Sequence, residues 1–505
     1  MSLDRREFIQ AGSATALALT AGCNYVPQVL LSGRRVPAPP QGPYVSTKSA
    51  SIDLITHALN RLTFGARPWD YERVSKLGEN QEDAFVRFID EQLDFEKIDD
   101  PEGDNILRRF DTLSQPIGEL YEYQEKHLAR QLTQATVLRA IYTERQLYEV
   151  MVQFWTDHFN IDPSKGDCKW LKTGDDREVI RKHALGNFND MLHASALSPA
   201  MLWYLDGRVN RKSKPEDKPN ENYARELLEL HTLGVNGGYT QKDVMEVARC
   251  LTGWTIRETR RSKFGLGTIE FKPYYHDRGA KELLGHTIPA IPDGLRRAEQ
   301  QKRGESELEQ VIEIVGHHPS TARYLATKLC RRFIADEPPA AAIETVAKSF
   351  TESKGDICAT LRTLFLTDEF RDTRGNKFKR PFNYIVSAIR ATNARTDANR
   401  QVTDYLVRMG HAPFQYPTPD GYPEEANPWL GTLLWRWNFA RALKDHRIKG
   451  TRLDAKRCLE NFDDGLDGAL AFYLGRQPTS EERETITDTD QSLALLLASP
   501  EFQMC

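Results

Sequence analysis

The chain has 505 residues, of which 40% are hydrophobic, 28% charged and 10% aromatic, and its formal net charge is -4. That is enough chain for two or three hydrophobic cores, with the composition of an ordinary globular protein. A surface that grips nucleic acid tilts the charge balance basic, so a near-neutral chain sets that partner class aside.

Residues 1–23 read as an export signal rather than as part of the fold. Arg5 and Arg6 precede Phe8 and Ile9, and an uncharged Ala/Thr/Gly-rich run follows, too short to span a bilayer. Paired arginines before such a run have the form of a twin-arginine signal, which makes the export machinery the first expected partner. Cys23 closes the run in "LTAGC", a lipoprotein-like processing box except that Thr20 stands where Leu is usual. Lipidation of Cys23 and simple cleavage remain as alternatives, and a lipid there is the only membrane attachment expected. Residues 24–50 are proline-rich and aperiodic, the pattern of a tether. The expected location is therefore outside the cytoplasm, periplasmic or at the cell surface. Twin-arginine export carries chains already folded, so the fold forms in a reducing compartment. The cysteines after Cys23 show no C-x-x-C pair, and Cys250 and Cys330 sit in apolar helical runs as expected core thiols.

From residue 51 onwards helical periodicity dominates. "SIDLITHALNRL" stops at "TFGARP", a Gly and then a Pro. Residues 117–160 read as two long helices, and 178–205 as two more broken near "LSPA". Thr240 and Asp243 form a capping box before "QKDVMEVARCLTGW". Short alternating segments between residues 255 and 290 predict a small β-hairpin insertion. The charge-rich stretches 206–222 and 295–310 read as solvated loops. The Pro- and aromatic-rich 410–431 reads as a long ordered loop packed on the body, with the lining of a carbohydrate- or polymer-binding groove as the alternative. "LRTLFLTDEF" is echoed by "LALLLASPEF" at the end of the chain. The fold class is thus all-α, an irregular multi-helical bundle, with 51–292 and 305–505 as candidate lobes.

Two helices carry chemistry. Wound at about 100° per residue, 221–233 puts His231 in the middle of an apolar arc and Glu226 at its edge. Glu221, Arg225 and Glu229 form an ion-pair ladder, with Asn222 and Thr232 on the same polar side. In "FWTDHFNI" His158 likewise falls on the apolar face while Asp157 turns away. Buried imidazoles need polar partners, so His158, Glu226 and His231, with Asp157, Arg225 and Asn222 beside them, are the candidate catalytic set. His276 and Asp277 in "YYHDRGAKELLG", with Lys281, are the candidate substrate-binding group. His158, Glu226 and His231 are also candidate ligands for a divalent transition metal, although no H-E-x-x-H spacing is present.

"FWTDHFNI", "PAMLWYLDG", "NENYARELLELHTLGVNGGYTQKDVMEVARCLTGW", "HDRGAKELLG" and "HPSTARYLATKLCRRFIADEPP" together resemble the bacterial family catalogued as domain of unknown function 1800. The likeness runs from "HALNRLTFG" to the final "ASPEFQ". Many relatives read Phe-Trp-His-Asn-His-Phe where this chain has Thr156 and Asp157. The resemblance implies an exported bacterial protein, often encoded beside a second exported protein of phosphatase- or sulfatase-like appearance, and it implies no established activity. Two functions stand at this stage: an extracytoplasmic enzyme with a His/Asp/Glu polar or metal site on the central helices, or a non-catalytic assembly partner of the co-encoded protein.

Overall fold

The computed structural model describes residues 36–257, 265–487 and 491–505, and over these the chain is the all-α body that periodicity predicts. Residues 1–23, expected as an export signal, and with them Cys23, lie outside the described residues. Helix α1 (Leu54–Leu62) begins where the Asp53 carboxylate accepts the Thr56 amide. It ends before Gly65, whose positive φ of 111° turns the chain. The two long helices expected before residue 160 are α2 (Glu125–Tyr142) and α3 (Gln146–His158). Helix α4 (Cys168–Asp175) continues into a π-helical turn over Asp176–Arg181, and α5 (Asn222–Glu226) into another over Leu227–His231. The capping box of Thr240 and Asp243 opens α6 (Gln241–Cys250).

Strand is scarce. In place of one hairpin near 255–290 there are two antiparallel ribbons, β1 (Trp254–Ile256) with β2 (Ile269–Phe271) and β3 (Lys281–Leu283) with β4 (His286–Ile288). A third, β5 (Arg395–Thr396) with β6 (Thr451–Arg452), lies well downstream. The stretch 295–310, expected as a loop, is most of helix α7 (Arg297–Gly316). Its many charges hid a narrow apolar stripe, because Leu308, Val311 and Val315 are buried at helical spacing together with Glu307. Helices α8 (Pro319–Phe333), α9 (Pro381–Ala391), α10 (Leu433–Lys444) and α11 (Ser492–Ala498) complete the frame.

One hydrophobic cluster runs from Ile55 to Phe502, and each fully buried Leu or Phe in it contributes about 1.5–3 kcal/mol. Cys250 and Cys330 belong to it as free thiols. The proline-rich segment does not stay apart as far as residue 50. Tyr44 is buried against Phe462, and its backbone exchanges hydrogen bonds with Asn461 and Asp463. At the other end, Met504 pairs with Phe378, and Cys505 and Lys377 exchange backbone hydrogen bonds of 2.8 and 3.1 Å. The sequence echo is structural: Thr367 and Ser499 each cap a short final turn by accepting the amide hydrogen of Phe370 and Phe502, and both phenylalanines are buried.

Candidate functional site

The two histidines on apolar faces meet. The His158 and His231 rings lie 6.1 Å apart, centroid to centroid. His158 Nε2 donates to the His231 carbonyl at 3.1 Å, which leaves Nδ1 as an acceptor, and Lys328 Nζ from α8 donates to it at 3.0 Å. Burial first, and then the neighbouring Lys328 charge, hold the His158 imidazole well below its ordinary pKa. His231 is 0% exposed and neither of its ring nitrogens has a partner; burial takes its pKa down to about 3. The Tyr223 hydroxyl, on the same α5 segment, is also buried without a partner.

The π turn decides which side chains face this centre. A turn closed by i→i+5 hydrogen bonds takes in more residues than an α-turn, so a wheel drawn at about 100° per residue slips out of register after Leu227. Thr232, expected on the polar side, is fully buried and donates to the Leu227 carbonyl at 2.6 Å. Glu226 lies half-buried, its pKa raised by burial and by the nearby Glu229 charge. Arg225 pairs instead with Glu221 at 3.0 Å and Gln241 at 2.9 Å on the surface. Asn222 is exposed and donates to the Leu205 carbonyl at 3.1 Å.

Asp157 faces the other way. Arg380, at the start of α9, donates to it at 2.8 Å and to Gln153 at 2.9 Å, and lies 3.3 Å from Glu424. Arg332 of α8 donates to Glu424 at 3.1 Å and to Gln153 at 3.2 Å. Against the cost of burial, Arg332 and Arg380 hold the Glu424 carboxyl at about 2. Glu424 belongs to the 410–431 loop, which packs tightly on α3: Asn160 donates to the Tyr416 and Thr418 carbonyls at 2.9 and 2.7 Å. Beside Asp157 a cavity of about 30 Å³ is lined by Thr156, Gln153 and His411, room for roughly one water. Thr156 therefore opens on that cavity.

His276, Asp277 and Lys281 form a network of their own and share no partner with the histidine pair among the described residues. His276 Nδ1 donates to the Thr252 carbonyl at 2.8 Å, and Nε2 lies 3.2 Å from Glu307 of α7. Lys281 donates to Glu307 at 2.6 Å and also to the Asp277 carbonyl. Arg249 and Lys212 clamp the Asp277 carboxylate at 3.0–3.1 Å and hold it ionised despite burial. Every charge here has an opposite partner, as a structural staple between α6, α7 and the β3–β4 ribbon requires.

The residue that pattern reading missed is Lys328. Burial lowers its ammonium to about 8, against the opposing pull of Asp157 and Glu424. Part of its surface reaches solvent, and His158 is its one hydrogen-bond partner among the described residues. It sits next to the buried Leu329 in "ATKLCRRF", a flank that reads from sequence as an ordinary snorkelling lysine. Among the described residues no group of three or more His, Cys, Asp or Glu side chains is placed to hold a metal ion. With both His158 nitrogens engaged and a lysine against one of them, the arrangement suits proton transfer or attack by a neutral amine.

A match over residues 57–504 to the family described as a protein of unknown function, DUF1800, covers almost all of this body. The chain belongs to DUF1800. The match takes in the histidine pair, Lys328 and the Arg380–Glu424 network, so every element of the site lies within the DUF1800 region. No curated protein and no solved structure matches the chain.

Proposed function

We propose that this DUF1800 protein is an exported bacterial enzyme that uses the Lys328 amine as base or nucleophile. His158 positions the amine, and Glu226 serves as the accompanying acid. The observation that carries the reading is Lys328 itself: partly exposed, hydrogen-bonded to a neutral imidazole, with no carboxylate paired to it among the described residues. A lysine lowered and a glutamate raised is the division that acid–base chemistry near neutral pH needs, and the charge they have in common is Asp420 of the 410–431 loop. Competitive acetylation across pH, read by mass spectrometry, tests this. Lys328 should half-react near pH 8, more than two units below an ordinary lysine; labelling that tracks the surface lysines would sink the proposal.

The second reading, an assembly partner of a co-encoded phosphatase- or sulfatase-like protein, is favoured by one observation. Leu430, Leu433 and Leu434 are 48%, 48% and 67% exposed, side by side at the start of α10. Co-purification that is lost in a Leu433→Ser, Leu434→Ser variant, with Lys328 chemistry absent, would select it.

A further inference from the structure

We propose that the groove beside the β5–β6 ladder binds a ligand carrying more than one oxyanion group, a phosphate or sulfate ester. In this ladder Arg395 stands directly opposite Arg452, and Thr396 opposite Thr451. The two threonine hydroxyls hydrogen-bond at 2.7 Å on the buried face, so both arginines project from the exposed one. Like charges directly opposite on one face of an antiparallel pair destabilise it. Arg395 is offset by an ion pair with Glu102. Arg452 has no carboxylate partner among the described residues, and neither does Arg109, which lines the same cavity of about 550 Å³. Three guanidinium groups thus converge where one acid is engaged. Asp397, also in the lining, accepts the Asn399 amide at 3.0 Å.

The cavity is not isolated. Arg395 also lines two neighbouring cavities of about 370 and 330 Å³. The first is rich in carboxylates (Glu91, Asp99, Asp100, Glu102 and Glu144), whereas the second sets Arg452 and Arg457 against Asp454 alone. Arg457 donates to the Pro40 and Gln41 carbonyls at 3.3 and 2.9 Å and to the Tyr44 hydroxyl at 3.1 Å. Arginine forks spaced along one groove match several oxyanions rather than one, since each planar fork binds phosphate or sulfate through two hydrogen bonds. None of the lining residues belongs to the Lys328 centre, so this site stands whether or not that reading does.

Titration calorimetry of the mature chain at low salt, with inorganic pyrophosphate and with a heparin hexasaccharide, tests the proposal. Binding of pyrophosphate alone identifies a small phosphate ester as the ligand class; binding of the hexasaccharide alone identifies a sulfated polymer. Arg452→Gln and Arg109→Gln should each weaken binding about tenfold or more, while Lys328→Met leaves it unchanged. Without ligand, Arg452→Gln should melt higher than the parent, because the opposed charges are gone; this also shows that the variant folds. The proposal is overturned if neither probe binds, if both variants bind like the parent, or if a single-stranded oligonucleotide binds more tightly than either probe.

Discussion

An imidazole buried at position 231 with neither nitrogen satisfied is costly to fold, on the order of 1–3 kcal/mol for each orphaned group. Replacing it with an apolar side chain of similar volume should therefore cost little. His231→Met is expected to unfold in urea at or above the parent midpoint, whereas His231→Ala, which leaves a cavity, should lose roughly 2–5 kcal/mol. If His231 serves the Lys328 centre, both variants lose its chemistry alike. The same burial sets an acid limit. Folded His231 and His57 are lowered to about 3, while the unfolded chain takes up protons near 6.5. Between those values the unfolded state binds more protons, so stability is complete above pH 6.5 and falls as pH drops towards 3. The slope is about 1.4 kcal/mol per pH unit for each histidine, and His231→Met should flatten it in urea titrations between pH 6 and 4. The histidines were legible in the sequence because an ionisable group on an apolar face stands out. Lys328 and Glu307 were not, because their long stems let a charge start from a helix flank or a charged stretch and still end inside.

Among elements, the 410–431 loop is held to α3 at one close approach. A Cβ on Gly421 would lie 2.0 Å from the Asp157 carbonyl oxygen, and its φ is +74°. Gly421→Ala should push the loop off α3, release Glu424 from Arg380 and Arg332, and cost several kcal/mol by strain and unpaired charge together; hydrogen exchange on 410–431 would show the loop opening first. Helix positions, the capping box at Thr240 and the Phe370/Phe502 echo could be read from sequence because each rests on contacts between residues a few places apart. The π turns after Glu226 and Asp175 could not. They add a residue to a turn without a distinctive signal in the sequence, and for the turn after Glu226 only the packing of His231 and Thr232 reveals it. The helix hidden in 295–310 has the same lesson in reverse: surface charge outnumbered the apolar stripe that places Glu307.

For the whole molecule, the buried Arg380 is the joint between the early and late halves, meeting Asp157 from α3 and Glu424 from the loop. Arg380→Met removes a charge that two carboxylates depend on, and should cost about 3–5 kcal/mol in urea unfolding. The described cysteines are free thiols, so reductant should leave the melting temperature unchanged, and a shift of several degrees would contradict that assignment. The proposed twin-arginine reading of residues 1–23 is tested at this scale as well: on that reading Arg5→Lys with Arg6→Lys should retain the chain in the cytoplasm, and unchanged fractionation would overturn it. The clasp of Met504 and Cys505 on residues 377–378 bears on the timing of synthesis. Asp157 leaves the ribosome more than two hundred residues before its partner Arg380, and the segment leading to Arg380 is clasped by residues made later still. Until Arg380 is made, α3 carries a carboxylate without its partner, so a nascent chain stalled between residues 160 and 380 should be a chaperone client. Pairing across more than two hundred residues, rather than the central motif, would then set when the body can close.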